Sequence, residues 1–157
     1  MSSPGQTFTI RAATREDMPA IVGIYNWAIN QTFATIDSEP LSREEAAEWW
    51  NAHAGKTVTL VAADDDMIAG WARLLPWKLR GYEVVEDLVY VDPLYQGRGV
   101  GKQLLARLIE EARSTGCKTI VATWQLGVWV TISNRPLRRL SSVSLRSFML
   151  GTTALKC

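Results

Sequence analysis

The strongest constraint on the fold of this chain is a glycine-rich stretch, Gln96-Gly97-Arg98-Gly99-Val100-Gly101-Lys102. An apolar run from Leu88 to Val91 precedes it, and apolar residues at helical spacing follow it, so the pattern predicts a strand, a tight turn and a helix. Alternating glycines let a backbone approach a ligand closely, and the first N–H groups of a helix have no intrahelical partner. The helix dipole, Arg98 and Lys102 add positive charge, which suits the oxygens of a phosphate. The alternative is a helix start that uses its glycines only for geometry.

The spacing of these glycines separates the turn from two other phosphate-binding motifs. No Gly-Lys-Ser/Thr ends the stretch, and it is not G-x-G-x-x-G with an acidic residue about 20 positions further on. It matches Q/R-x-x-G-x-G/A, the signature of the GCN5-related N-acetyltransferases. The wider run from Val85 to Lys102 resembles the branch of that family that contains phosphinothricin and methionine sulfoximine acetyltransferases, and the resemblance extends over residues 8–123.

The resemblance implies the fold and the reaction. It implies an α/β fold: a mixed, largely antiparallel sheet, helices on both faces, and a V-shaped opening between two splayed parallel strands. It also implies one acetyltransferase domain over residues 1–157 that uses acetyl-CoA to N-acetylate a small amine, an amino-acid analogue such as phosphinothricin or methionine sulfoximine. In this family the turn holds the pyrophosphate of acetyl-CoA, and the preceding strand pairs with the pantetheine arm. The cofactor-binding residues so implied are Val89, Tyr90, Val91, Gln96, Gly97, Arg98, Gly99, Val100, Gly101 and Lys102.

One carboxylate on that strand is the candidate catalytic residue. Glu86 matches the glutamate that acts as general base in the phosphinothricin-type enzymes, taking a proton from the amine directly or through a water. Strand alternation predicts that Glu86 shares a face with Leu88 and Tyr90, and that Asp87 lies on the opposite face with Val89 and Val91. From the residues alone, a strand-end carboxylate in water is the alternative.

The resemblance also indicates an acceptor pocket. In this family the loop that corresponds to residues 30–36 lines the pocket, and a basic residue after a tryptophan, here Lys78 after Trp77, helps to hold the carboxylate of an amino-acid substrate. A plain connection between helices is the alternative for the loop. The substrate-binding residues so implied are Phe33, Thr35, Lys78, Arg80, Tyr82 and Glu86.

The amino-acid composition and the net charge indicate which class of binding partner to expect. The chain has 157 residues, 47% of them hydrophobic and 21% charged, which is typical of one soluble globular domain. Seventeen basic and sixteen acidic residues give a net charge of +1, so we expect a small-molecule partner rather than nucleic acid or a membrane surface. The sequence contains no apolar run of about 20 residues, which a membrane-spanning helix would need, and its first residues do not resemble a signal peptide. We therefore expect a cytoplasmic protein. A homodimer is left open as the assembly.

Three features could suggest a catalytic or metal site, but we interpret each of them otherwise. The single histidine, His53, lies near a predicted helix end, where surface or capping roles are commoner than catalysis. The run Asp64-Asp65-Asp66 fits a solvated hairpin turn better than a metal site. The thiols of Cys117 and Cys157 have no metal-ligand neighbours in the sequence, and we expect them to be reduced.

The remaining pattern predicts the other elements. A strand over residues 8–12 is followed by a helix capped at Thr14, with an apolar stripe that includes Ile21 and Tyr25. Ser42 and Glu45 form a capping box for a second helix, residues 43–53. Residues 57–63 and 67–75 predict a hairpin.

The sequence departs from the family pattern after Thr123. The family continues with an asparagine and serine loop, a helix, a Leu-Gly-aromatic turn and a last strand, and these motifs do not follow here. Residues 124–132 are apolar enough to make a strand, but no acidic residue follows Glu111. A basic partner-binding tail and a shifted reading frame would both give this break. We therefore expect residues 124–157 to be an atypical, poorly ordered tail in the C-terminal third, and the alternative function is an impaired or non-catalytic acetyl-CoA-binding module.

Overall fold

The computed structural model describes residues 7–32, 35, 37–53, 57–76, 84–117, 119–122 and 130–133. Two single-turn 3-10 segments, Arg15–Asp17 and Pro93–Tyr95, accompany the longer elements. In chain order those elements are β1 (Thr9–Ala12), α1 (Met18–Gln31), α2 (Arg43–His53), β2 (Thr59–Asp64), β3 (Met67–Pro76), β4 (Val84–Val91), α3 (Val100–Ser114), β5 (Thr119–Ala122) and β6 (Val130–Ser133).

The six strands form one sheet in chain order, β1-β2-β3-β4-β5-β6. Neighbouring strands are antiparallel except β4 and β5, which run parallel. The α3 helix is the crossover between the two parallel strands, as a parallel pair requires. The predicted mixed, largely antiparallel α/β sheet is therefore confirmed. β6 lies inside the segment that we expected to be atypical, and it pairs with β5.

Both predicted capping motifs are present. Glu45 N donates to the Ser42 hydroxyl at 3.2 Å, and Ser42 N donates to the Glu45 carboxylate at 2.8 Å, so α2 begins at the predicted residue. At the start of α1, the buried Asp17 accepts Thr14 N at 2.8 Å. Arg11 donates to both Asp17 oxygens, at 2.6 and 2.8 Å, and these hydrogen bonds hold the pKa of Asp17 below its usual value.

Helices cover both faces of the sheet, as predicted. On one face α3 packs on the strands through a cluster of buried apolar side chains that includes Leu104, Leu108 and Leu74. On the other face α1 and α2 pack on a second cluster, in which Ile21 and Ile24 of α1 meet Trp71 of β3. Each face therefore has its own core, and β3 contributes to both because its side chains alternate between them.

A glycine on β3 lets α3 come close to the sheet. A Cβ at Gly70 would lie 2.8 Å from the Tyr90 carbonyl oxygen and 3.0 Å from Val100 Cγ1. No side chain can be added there without moving the backbone of β4 or the first turn of α3. Gly70 therefore lets the first turn of α3 pack closely on β3 and β4.

The hairpin between β2 and β3 turns at Asp65 and Asp66, close to the predicted boundaries. Among the described residues no group of three or more His, Cys, Asp or Glu side chains is arranged to hold a metal ion. Cys117 is buried and forms no disulfide within the described residues. In the same part of the chain, no helix has the length and apolar character needed to cross a membrane.

Candidate active site

The glycine-rich turn has the shape that its sequence predicts. Gly97 and Gly99 have φ angles of 76° and 84°, in the left-handed region that favours glycine. Gly99 is the N-cap of α3, and the turn is exposed. A Cβ on either glycine would meet nothing within 4 Å, so open space lies beside the main chain of the turn. This concave, open backbone fits a phosphate group.

The first turn of α3 presents its amides to that space. Gln103 N donates to Gly99 O at 3.2 Å, which is the first helical hydrogen bond, so the N–H groups of residues 100–102 precede the intrahelical ladder. The exposed side chains of Arg98 and Lys102 add two positive charges. Only the backbone of Val100 is available to contact a ligand, because its side chain is 1% exposed and packs in the core under α3.

The aromatic ring of Tyr95 makes a contact with Arg98, one of these two cations. The guanidinium carbon of Arg98 lies 5.2 Å from the centroid of the Tyr95 ring, within the range of a cation–π contact. Tyr95 packs edge-on against Phe8 at 6.1 Å between centroids, which ties the turn to the start of β1. The sequence alone did not indicate this support.

Strand β4 leads into the turn and carries different side chains on its two faces. Leu88 and Tyr90 pack with α1 and α2, whereas Val89 and Val91 pack with α3. The predicted alternation is confirmed, and it places the half-buried Glu86 on the face of α1 and α2.

The main-chain N–H groups of β4 also point to defined sides of the strand. Asp92 N donates to Ala69 O of β3 at 3.0 Å, and successive residues of a strand point their N–H groups to opposite sides. The N–H groups of Val89 and Val91 therefore point toward the β5 side. There the described parallel ladder ends at Asp87, opposite Ala122, while β4 continues to Val91. The amides of Val89 and Val91 thus lie beyond the ladder that joins the two parallel strands.

Strand β4 carries a second carboxylate, Asp87, beside the predicted candidate Glu86. Asp87 is 5% exposed, and its Oδ1 has no hydrogen-bond partner among the described residues. Burial, with a smaller contribution from the neighbouring charge of Glu86, raises the pKa of Asp87 to about 6. The sequence predicted only that Asp87 would lie on the face opposite to Glu86, and its signal was a charged residue within an apolar strand.

The loop that the sequence predicted to line the acceptor pocket, called here the acceptor-side loop, is anchored at Thr35 and Asp37 by hydrogen bonds from α1. Thr35 is buried, and its hydroxyl lies 3.0 Å from the Tyr25 hydroxyl and accepts Asp37 N at 3.2 Å. The Tyr25 hydroxyl donates to Asp37 Oδ2. Burial, together with this hydrogen bond, raises the pKa of Tyr25 to about 12. The sequence predicted Thr35 as a pocket residue but gave no sign of its two partners.

The loop and the strand meet at Tyr90. The Tyr25 and Tyr90 rings pack edge-on with centroids 5.1 Å apart, and Tyr90 also hydrogen-bonds Thr35. The structure therefore brings together Thr35, Tyr90 and the face of β4 that carries Glu86. The predicted substrate residues Phe33, Lys78, Arg80 and Tyr82 lie outside the described residues.

The sequence matches the model of the Acetyltransferase (GNAT) family over residues 21–140. It is 37% identical over 118 residues to the L-methionine sulfoximine/L-methionine sulfone acetyltransferase of Salmonella typhimurium, covering 73% of this chain and 68% of that protein. It is 32% identical over 124 residues to the phosphinothricin N-acetyltransferase of Streptomyces viridochromogenes, covering 78% and 68%. A crystal structure of a GNAT superfamily phosphinothricin acetyltransferase from Sinorhizobium meliloti in complex with acetyl-CoA superposes with a TM-score of 0.66 at 28% identity, covering 74% of this chain and 65% of that one.

These similarities, together with the strand, turn and helix described above, show that the chain belongs to the acetyltransferase (GNAT) family. It is an N-acetyltransferase, and acetyl-CoA is its acetyl donor. The family match ends at residue 140, inside the segment that departs from the motifs of the phosphinothricin branch.

Proposed function

We propose that this enzyme transfers the acetyl group of acetyl-CoA to the amine of a small amino-acid-like acceptor of the phosphinothricin or methionine sulfoximine type. The observation that carries the proposal is the arrangement of β4. One strand presents Glu86 on the face of the acceptor-side loop, points main-chain amides toward the parallel neighbour, and ends at the glycine-rich turn. Relatives with these two substrates in their names match about three quarters of the chain, which supports the choice of acceptor class.

The donor side of the reaction rests on backbone groups. The amides of residues 100–102, the positive end of the α3 dipole, and Arg98 and Lys102 would hold the pyrophosphate. Acetyl-CoA supplies the acetyl group as a thioester. The Val89 N–H, which points toward the β5 side, would donate to the thioester carbonyl oxygen as negative charge develops there.

The acceptor side rests on Glu86. An amine attacks a carbonyl only as the neutral base, so a group that removes its proton is needed. The Glu86 carboxylate would take this proton directly or through a water, on the same face of the sheet as Thr35 and Tyr90. Holding the donor and the acceptor together at β4 supplies the remaining rate enhancement through proximity.

An assay of CoA thiol release with a panel of amines tests the proposed acceptor class. The panel contains L-methionine sulfoximine, L-methionine sulfone, phosphinothricin, the common amino acids and a set of amines without a carboxylate. We expect the highest kcat/KM for the first three compounds. Faster transfer to amines without a carboxylate would reject the proposed acceptor class, and the enzyme class would still stand.

A further inference from the structure

The acceptor-side loop is fixed to the protein at both ends. At its start, Tyr25 of α1 hydrogen-bonds both Thr35 and Asp37. At its end, the Asn26 side chain donates to Leu41 O at 3.0 Å and accepts Leu41 N at 2.8 Å. Consecutive residues of α1 thus hold the two ends of the segment. Asp37 is therefore a carboxylate with a defined position, although it is exposed.

The charges of Asp37 and Glu86 act on the same phenol. Burial is the main cause that raises the pKa of Tyr90, and both carboxylates raise it further. Tyr90 also contacts Tyr25 and Thr35, the two groups that hold Asp37. Asp37 is held by Tyr25, which packs against Tyr90, and Glu86 lies on the same face of β4 as Tyr90. Both carboxylates therefore lie on the face of the sheet that α1 and α2 cover.

The chemistry of the acceptor gives this arrangement a use. At neutral pH an amino-acid amine is an ammonium ion, and such a cation is expensive to remove from water without a negative partner. Glu86 alone would serve both to attract the ammonium and to accept its proton, and it loses its charge once the proton has moved. A second carboxylate that stays ionised would hold the amine through that step.

We propose that Asp37 binds the ammonium group of the acceptor and that Tyr25 and Thr35 are the positioning residues that hold Asp37 for this contact. The proton balance is simple. One N–H bond of the ammonium breaks, its proton passes to the Glu86 carboxylate, and the neutral amine keeps a hydrogen bond to the charged Asp37. This inference rests on the proposed function, because it requires an amine acceptor at this face of the sheet.

The substitution Asp37→Asn tests the proposal with little change in shape. Asparagine retains an oxygen that accepts the Tyr25 hydroxyl, but it removes the negative charge. We expect KM for the amine to rise about tenfold or more, while kcat and the dissociation constant of acetyl-CoA stay within about twofold. Tyr25→Phe should raise KM by less, because it loosens Asp37 without removing its charge. Glu39→Gln is the matched control: it neutralises another exposed carboxylate of the same segment and should leave KM unchanged.

A competitive inhibitor that lacks the ammonium charge distinguishes the loss of a charge contact from a change in the shape of the loop. The 2-hydroxy acid that matches the best acceptor has no ammonium, so its inhibition constant should be the same for the wild type and for Asp37→Asn. Equal losses for the amine and the hydroxy acid would mean that the loop has changed shape, and would overturn the proposal. An unchanged amine KM in Asp37→Asn would overturn it as well, while the acceptor class would stand if the wild type still acetylates the expected amines. Failure of the wild type on every amine would instead reject the proposed function.

Discussion

The guanidinium carbon of Arg73 lies 3.8 Å from the centroid of the Trp49 ring, under α2. Arg73 is 1% exposed, and its Nε donates to the Thr59 hydroxyl at 2.8 Å. Its Nη1 has no hydrogen-bond partner in the part of the chain that the structure describes. Burial lowers the pKa of Arg73 to about 10, so the group stays charged at neutral pH. No carboxylate within the described ranges forms an ion pair with it.

A buried charge without an anionic partner costs more than its cation–π contact returns. We therefore expect Arg73→Met, which keeps the length and the contact with Trp49, to raise the free energy of unfolding by about 1 kcal/mol. Urea unfolding at pH 7 measures the change. Arg73→Lys keeps the charge and serves as the control, with no gain expected. A loss of stability in Arg73→Met would mean that the guanidinium contributes net stabilisation.

The second prediction concerns the pH dependence of stability. The pKa of Asp87 is raised in the folded state, so its protonated form is favoured by folding. Below the unfolded-state pKa both states are protonated and Asp87 has no effect. As pH rises toward about 6, the unfolded state releases its proton first, and the folded state loses up to about 3 kcal/mol.

Replacement of Asp87 by asparagine should therefore stabilise the protein at pH 7 and flatten the fall in stability between about pH 4 and pH 6. Unfolding midpoints across that range measure the effect. The control is Asp66→Asn in the exposed β2–β3 turn, which should reproduce the wild-type curve. Parallel curves for the wild type and Asp87→Asn would show that another group sets the slope.

The third prediction concerns the glycine-rich turn. Because Gly99 has φ of 84°, a branched side chain there is strained by about 1–2 kcal/mol, whatever space surrounds it. Gly99→Val should weaken acetyl-CoA binding about tenfold or more by reorienting the amides that follow. Calorimetry measures the affinity. Gly23→Ala is the control, because Gly23 lies in α1 and a Cβ there meets nothing within 4 Å. An unchanged affinity in Gly99→Val would count against the turn as the pyrophosphate site.

The fourth prediction separates two roles for Glu86. Glu86→Gln removes a proton acceptor and keeps the shape, so turnover should fall on the order of 100-fold with little change in acetyl-CoA affinity. Steady-state kinetics with the best amine provides the test. If kcat is retained and only the KM of the amine rises, Glu86 binds the acceptor and does not act as a base.

The fifth prediction concerns residues 124–157. Residues 130–133 of this segment pair with β5 as β6. We propose that the segment as a whole is nevertheless foreign to the fold specified by residues 1–123, and we expect low stability and lower acetyltransferase activity than in a relative that carries the family motifs. The coding DNA is decisive. A one-base change near codon 124 that restores the asparagine and serine loop and the Leu-Gly-aromatic turn would show a frame error. A cooperative melt with residues 124–157 protected from protease, and no restoring frame, would show a native tail.

The sequence predicted the elements more completely than it predicted the contacts between them. Ser42 and Glu45 are three residues apart, and their capping box depends on local geometry alone, so the start of α2 was predictable. The faces of β4 followed from alternation for the same reason. Gly70 was not predictable, because its need for a missing side chain depends on Tyr90 and Val100, which are distant in the sequence.

The same distinction between local features and contacts of distant residues applies to the candidate site. The glycine-rich turn is local, so its motif alone indicated a tight turn with first-turn amides free of intrahelical partners, and the left-handed φ angles of Gly97 and Gly99 fit that turn. The hydrogen bonds of Tyr25 with Thr35 and Asp37 join a helix to a loop, and sequence periodicity assigned Tyr25 only to an apolar stripe. The perturbed pKa of Asp87 likewise depends on burial between β3, β5 and α3, which a strand pattern does not measure.

The main-chain groups and the side chains of β4 have different proposed roles, and this difference affects how such an enzyme changes over evolution. In the mechanism we propose, backbone amides and the glycine-rich turn serve the donor, whereas the side chains at 86, 88 and 90 lie on the face of β4 proposed for the acceptor. A substitution at one of these three positions can alter which amine is accepted, and it leaves unchanged the amides that meet the thioester. New acceptors can therefore be gained one side chain at a time, while the capacity to use the same activated acetyl group is inherited intact.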